Sequence, residues 1–308
     1  MPVIREITTG LRFPGGPVAM PDGSILVVEI ERQTLTRVAP DGTKTVVAKT
    51  GGGPNGAAIG PDGAAYICNN GGFLWIENEQ GLRPHMQGAD YKGGSIQRVD
   101  LKTGAVTTLY TKGPNHKLTG PNDLVFDAHG GFYFTDLGKV REREWDRGCV
   151  YYAKADGSLI KEIAFPITTP NGCGLSPDGK TLYAAETQTG RVWAFDIVAP
   201  GEIAKQPWPS PHGGRLLAGV GGYNLFDSMA VDGAGNVCVA TLFNPGITVI
   251  SADGKNVRHI PLPGDPYVTN ICFGGPDLRT AYVTVSMTGK LLAFEWDGPG
   301  AKLNYLNV

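Results

Sequence analysis

One phrase returns six times along this chain. A repeat constrains a fold more than any local propensity does, because each unit must bury its apolar face against the next copy. The phrase is a short apolar run, a Pro-Asp-Gly-like turn, a second apolar run, a polar break and a third alternating run. It reads PVAMPDGSILVVEI then LTRVAP from Pro17 to Pro40, and GAAIGPDGAAYICNN then SIQRVD from Gly56 to Asp100. It continues as DLVFDAHGGFYFTDL with GCVYYAKADG, as GCGLSPDGKTLYAAETQTGRVWAFDI, as SMAVDGAGNVCVATLF with ITVISADG, and as ICFGGPDLRTAYVTVSMTGKLLAFEWDG. The turns centre on Asp22, Asp62, His129, Asp178, Gly235 and Asp277.

Period-two alternation with β-branched and aromatic enrichment identifies the runs as antiparallel strands. Glycine fills 45 of the 308 positions, roughly twice the usual share, which supplies tight turns and argues against a helix-rich chain. Units of about 40 to 50 residues with three or four strands each are propeller blades. The spacing therefore predicts an all-β, six-bladed β-propeller formed as one domain by residues 1–308. The opening run Val3-Ile4-Arg5-Glu6-Ile7-Thr8 and the closing run Leu303-Asn304-Tyr305-Leu306 are expected to pair and complete one blade, which removes an open sheet edge. Extra length lies in two places, Gly71 to Gly94 and Lys139 to Gly148. The first holds Trp75, His85, Met86 and Tyr91 with few strand signals and reads as an ordered loop, either a lid over the ring or a surface insertion.

Several function classes drop out. Lys+Arg 27 against Asp+Glu 29 leaves a formal charge of −2, which excludes a basic nucleic-acid surface. No apolar run is long enough to span a bilayer, and Met1 to Glu6 lacks the start of a signal peptide, so a cytoplasmic protein with no membrane partner is expected. Cys68, Cys149, Cys173, Cys238 and Cys272 are odd in number and widely spaced, so they read as buried thiols and not as zinc ligands. Gly51-Gly52-Gly53-Pro54-Asn55-Gly56 fits G-x-G-x-x-G, but a strand follows it where a nucleotide site needs a helix N-terminus. His116 reads as a loop side chain, and Glu186 as a structural blade residue paired with Arg191.

In a propeller the innermost strand of each blade begins beside the central channel. The residues opening those strands are Gly15, Asn55, Asn122, Asn171, Asp227 and Asn270. Pro-Asn-Gly and Pro-Asn-Asp are ordinary turn tripeptides one at a time, but five Asn or Asp residues in one blade position form a polar ring. Carboxamide oxygens and a carboxylate converging without thiol or imidazole make a hard oxygen site for one divalent cation. Ca²⁺ suits it best, Mg²⁺ or Mn²⁺ less well, and Zn²⁺ is the poorer match.

These phrases together resemble the senescence marker protein, gluconolactonase and luciferin-regenerating enzyme family over nearly the full chain. The resemblance rests on GPxxxxDG at Gly16, GPND at Asn122, PNGxxLSPDGKTLYxxET at Asn171, FDxMAVD at Asp227 and FGGPDLRTxYVT after Asn270. It implies a six-bladed propeller with one divalent cation held by a Glu, two Asn and an Asp, and in many members lactone hydrolysis. By motif, Asn122 becomes a metal or substrate contact, Asn171 a metal ligand, and Asp227 a metal ligand that can also act as base. The family's Glu-Gly-Pro is Gly15-Gly16-Pro17 here, so one carboxylate is missing and weaker hard-cation binding is expected. Glu29, one strand away, is the only nearby replacement by sequence.

The leading expectation is therefore a metal-dependent lactonase with Asp227 as catalytic base and a small-molecule lactone as partner. Asn55, Asn122 and Asn270 would contact the substrate, and Trp75 and Tyr91 would favour an apolar or ring-shaped body. The alternatives are a non-catalytic small-molecule-binding propeller that lost its chemistry with Gly15, and a metal-independent enzyme like strictosidine synthase.

Overall fold

The turn aspartates set the local structure. In a computed structural model, which describes residues 2–307, each turn after an inner strand closes on a carboxylate that accepts the amide two residues on. Asp22 takes Ser24 N at 3.0 Å, Asp62 takes Ala64 N at 3.2 Å, and Asp178 takes Lys180 N at 3.1 Å. Asp277 takes Arg279 N at 3.1 Å, while in the third and fifth units Asp127 and Asp232 play the part for His129 N and Ala234 N. Such side-chain turns compete with continued strand and so fix where each run reverses.

The runs form six antiparallel sheets around a central axis, a six-bladed β-propeller. The inner strands are Pro14–Ala19, Pro54–Ile59, Pro121–Phe126, Pro170–Leu175, Leu225–Val231 and Val268–Gly274, each packed against the next around the ring. Blades are numbered here by these strands. Between blades lie apolar layers. Tyr66 of blade two meets Phe126 of blade three edge-on at 5.0 Å, with Phe132 and Phe134 in the same layer, each buried ring contributing on the order of 2 kcal/mol. All five cysteines are free and buried in these layers, as expected.

The ring closes through the chain's opening run. Arg5–Thr8 pairs antiparallel with Lys290–Glu295 and is the outermost strand of blade six. The closing run does not join it, contrary to expectation. The single free edge of Lys290–Glu295 is taken, and residues 303–307 instead turn beneath the ring, where Asn304 Nδ2 donates to Phe126 O at 3.0 Å and Gly130 N donates to the Tyr305 hydroxyl at 2.9 Å.

The first insertion is not a loop but a hairpin, Phe73–Asn78 with Gly81–Gln87. Its Arg-Pro-His-Met stretch hides the alternation that a strand usually shows. A lone two-stranded ribbon is marginal in water, and this one is fastened at three blades. Arg12 of the loop before blade one bonds Glu77 at 2.6 Å, Leu82 N reaches Met287 O of blade six at 3.0 Å, and Gln87 N reaches Val140 O of blade three at 2.9 Å. The hairpin thus spans the face on which the inner strands begin, called the upper face below.

Glu29 sits where second strands end, opposite Pro14, and the same ladder position carries Asn69, Asp136 and Glu186. Each accepts amides of the loop leading into its own inner strand. Glu29 takes Arg12 N at 2.8 Å, the Thr36 hydroxyl at 2.6 Å and the Arg32 guanidinium at 3.1 Å, and is fully buried. It is not free to replace the missing carboxylate. Glu186 is structural as expected, but it holds Thr168 N and the Thr189 hydroxyl, and no ion pair joins it to Arg191 among the described residues. Glu29→Gln is expected to lower unfolding free energy in urea by about 2 kcal/mol, since bonds to a charged group are lost, without changing divalent-cation affinity. A changed affinity would put Glu29 back in the site.

Candidate active site

Every inner strand breaks register with its neighbour near its start. The irregularities fall between Gly15 and Val18, Pro54 and Gly56, Pro121 and Leu124, Pro170 and Cys173, Phe226 and Met229, and Val268 and Asn270. Bulges re-aim side chains and recur beside active sites. Aligned on the ladder, they yield two tiers. The upper tier is Gly15, Asn55, Asn122, Asn171, Asp227 and Thr269, and the lower tier is Gly16, Gly56, Asp123, Gly172, Ser228 and Asn270.

Five of the six residues expected in one ring therefore share a tier, and Asn270 does not. It stands one residue on, at the level of Asp123, with its Oδ1 accepting Ile271 N at 2.7 Å. Asn171 and Asp227 are brought together from adjacent blades: Ser228 Oγ donates to Asn171 Oδ1 at 3.3 Å, and Ser228 N donates to Asp227 Oδ1 at 3.0 Å. Asn122 is buried, and its Oδ1 has no hydrogen-bond partner. The half-buried Asn55 makes no side-chain hydrogen bond among the described residues. Trp75 packs on Phe13 at 5.2 Å. Tyr91 lies at the hairpin's base, its hydroxyl spent on Thr119 O at 2.6 Å and its ring 5.0 Å from Lys139 Nζ. His116 is exposed on its loop, as read.

Sequence reasoning missed Asp123, whose signal was the third letter of Pro-Asn-Asp. Burial pushes the Asp123 carboxyl up to about 7, against the amides of Leu124, Cys173 and Met229 and the Ser228 hydroxyl. Burial likewise raises Asp227 to about 7, with the charge of Asp123 adding to it. Neither has a salt-bridge partner among the described residues. No three His, Cys, Asp or Glu side chains converge among the described residues. A cation held here draws on two carboxylates at most, completed by amide oxygens. The donor set still fits a hard divalent ion: two uncompensated carboxylates, an orphaned amide oxygen on Asn122 and a weakly engaged one on Asn171.

Above the tiers runs a string of rings. Tyr223 stacks on Phe243 at 5.2 Å, Phe243 meets Tyr267 at 5.4 Å, Tyr267 meets Phe13 at 5.7 Å, and Phe13 meets Trp75. Phe13 and Phe243 hold left-handed backbones, φ 52° and 63°, a conformation bulky residues adopt at a cost of about 1–3 kcal/mol and keep at functional sites. Burial raises the Tyr267 phenol, with Arg83 of the hairpin opposing and Asp227 reinforcing. The aromatic wall therefore reaches the charged tier. Below the tiers lies a cavity of about 490 Å³, lined by Val18, Ile59, Leu124, Met229, Ile271 and Phe273 and floored by residues of the tail from 301 to 306. Asp123 and Asn270 line its top, whereas Asn122, Asn171 and Asp227 do not.

Comparison with known proteins agrees with this fold. The family described as SMP-30/Gluconolactonase/LRE-like region matches residues 13–287. A lactonase, drp35, from Staphylococcus saprophyticus is 28% identical over 79% of this chain and 67% of its own. A gluconolactonase from Zymomonas mobilis is 24% identical over 92% and 79%. In structure, the calcium-binding protein regucalcin from Agrobacterium tumefaciens superposes with a TM-score of 0.75 over 98% of both chains at 19% identity, a likeness of fold.

The two raised carboxyls make a stability prediction. Without cation, the folded chain keeps protons on this pair up to about pH 7, whereas unfolded Asp releases them near 3.9. The folded state binds more protons in that window, so the pair's contribution is full below about pH 4 and lost as pH rises through 7. Thermal melts in chelator are expected to show this fall between about pH 4 and 7, flattened in Asp227→Asn. An equal slope in that variant would show that the pair is not its source.

Proposed function

Since the chain belongs to the SMP-30/gluconolactonase/LRE-like family, we propose that it is a metal-assisted hydrolase that opens a cyclic ester at the upper mouth of the channel. The observation that carries this reading is that the Asp227 carboxylate, raised by burial and set beside Asn171, shares its tier with the unpartnered Asn122 oxygen, beneath an aromatic wall. Asn122, Asn171 and Asp227 would hold one divalent cation, Ca²⁺ before Mn²⁺ or Zn²⁺. When bound, the cation supplies Lewis-acid polarisation of an ester carbonyl and a lowered pKa for water.

The chain's own groups do the rest. Asp227 takes the proton of the attacking water as its oxygen bonds the carbonyl carbon, a role for which a carboxyl near the working pH is suited. The ring C–O bond breaks, and the alkoxide receives that proton to leave a hydroxy acid. The open amide of Asn55 would hold a substrate oxygen. Phe13, Trp75 and Tyr267 shield the apolar body from water, which strengthens every charge interaction beneath them. The hairpin, fastened at three blades, keeps Trp75 over the mouth.

Gly15 would weaken this site without forbidding a stronger one. A Cβ there would meet Asn55 O at 3.2 Å and Ile30 Cδ1 and Val28 Cγ2 at 3.6 Å, with no left-handed backbone. Gly16 is different: its φ is +47°, and a Cβ would come within 2.8 Å of Ala57 N. Gly15→Glu is therefore expected to fold, and to raise Ca²⁺ affinity by about tenfold or more, because affinity follows ligand charge count; Gly16→Ala is expected to unfold.

The deciding experiment is proton release from a panel of sugar and alkyl lactones with Ca²⁺, Mn²⁺ or Zn²⁺. Asp227→Asn should lower kcat/KM by roughly 100-fold, and Trp75→Ala should raise KM with kcat nearly unchanged. Lactone binding without opening, under all three ions, would favour the non-catalytic propeller. Turnover that survives exhaustive chelation would favour the metal-independent enzyme.

A further inference from the structure

Position 15 carries no carboxylate, and Glu29 is committed to Arg12, Arg32 and Thr36. The bulge of blade three carries another. Asp123 is 6% exposed and sits next to Asn122, which is 5% exposed with a side-chain oxygen that has no partner. Its Oδ1 accepts Leu124 N at 2.9 Å. It also lies 2.8 Å from where a Cβ on Gly56 would stand, so the carboxylate faces blade two's inner strand as well as the axis.

On the other side the strand of blade five lies close: a Cβ on Gly172 would meet Ser228 Cα and Met229 N at 2.7 Å. Gly172 occupies the same tier of blade four and has no side chain, so Asp123 faces Ser228 of blade five across it. Ser228 in turn donates to Asn171 Oδ1 and lends its amide to Asp227. Ser228 thus stands beside both ligand candidates, its hydroxyl on Asn171 and its amide on Asp227, on the side that Asp123 faces. A buried carboxylate without a cation is costly, and two that sense each other are more so. A divalent ion is the counter-charge that satisfies both of them and the orphaned Asn122 oxygen.

Resting on the metal-assisted reading above, we propose that Asp123 is the second anionic ligand of the cation in this chain, supplying the charge that Gly15 does not. The lower tier then contributes to the ion through Asp123, as the upper tier does through Asn122, Asn171 and Asp227.

Calorimetric titration with CaCl₂ and MnCl₂, paired with thermal melts in chelator, tests the proposal without reference to turnover. Asp123→Asn keeps the volume and removes the charge. It is expected to weaken Ca²⁺ binding by about 30-fold or more, as Asp227→Asn does, while Glu29→Gln leaves it unchanged. In chelator, Asp123→Asn should melt at or above the unmodified chain, because repulsion is relieved, and should lose the rise that Ca²⁺ gives. Asp123→Ser carries the same expectation if the Asn variant does not fold. Wild-type binding that persists at equal strength in both Asp123 variants would overturn Asp123 as a ligand and leave the hydrolase reading standing. A wild-type chain that binds neither ion at millimolar concentration would overturn both.

Discussion

Six strands must approach one axis closely enough to pack, and the backbone spacing there governs everything above it. At the lower tier, a Cβ on Gly16, Gly56 or Gly172 would come within 2.8 Å of the next blade's backbone, at Ala57 N, Asp123 Cα and Met229 N respectively. Those three positions are bare because adjacent strands occupy the space. The other three keep polar side chains, Asp123, Ser228 and Asn270. A ring built from one repeated phrase is thereby chemically lopsided, with its charge on blades three and five.

That lopsidedness is matched on the upper face. The aromatic string from Tyr223 to Trp75 crosses blades five, six and one, and the hairpin of blade two completes it. Lys139 shows how tightly the hairpin's foot is set: it is buried, with its ammonium bonded to Gly72 O at 2.7 Å and 4.4 Å from the Phe73 ring. Low-dielectric walls around two carboxylates magnify each charge relative to water. The same burial that makes the bare pair costly makes a bound counter-charge effective.

Periodic features were readable from the chain because each is enforced by local chemistry. The turn aspartates, the alternating runs and the blade count follow from residues acting on their own backbone. The Asn122, Asn171 and Asp227 register was readable for the same reason, since the three motifs repeat around a fixed proline or phenylalanine. Asn270 was misplaced by one residue because blade six has Val268 at the position where blades one to four have proline and blade five has phenylalanine, and only the ladder shows the offset. The hairpin was missed because its Arg-Pro-His-Met stretch lacks alternation, and its fastening depends on Arg12, Met287 and Val140, which are distant in sequence. Tyr91 and Trp75 looked alike as aromatic insert residues, but their partners differ: Trp75 packs on Phe13, and Tyr91 on Thr119 and Lys139. Asp123 stood beside a recognised motif and was passed over, since nothing in its neighbours' letters says that Gly172 leaves the path to Ser228 open.

Ring closure through Arg5–Thr8 has a consequence for the order in which the molecule can be made. Arg5–Thr8 is made ahead of all six inner strands and has its partner at Lys290–Glu295, so it must wait through the synthesis of almost the whole ring. During that interval its edge and that of each newest blade stay unpaired, and such edges are templates for wrong partners. Glu6 and Lys290, which meet across the finished seam at 2.8 Å, put charge on both edges while they wait. The seam that finishes the ring is thus the last contact to form and the one most exposed to interception by another nascent chain.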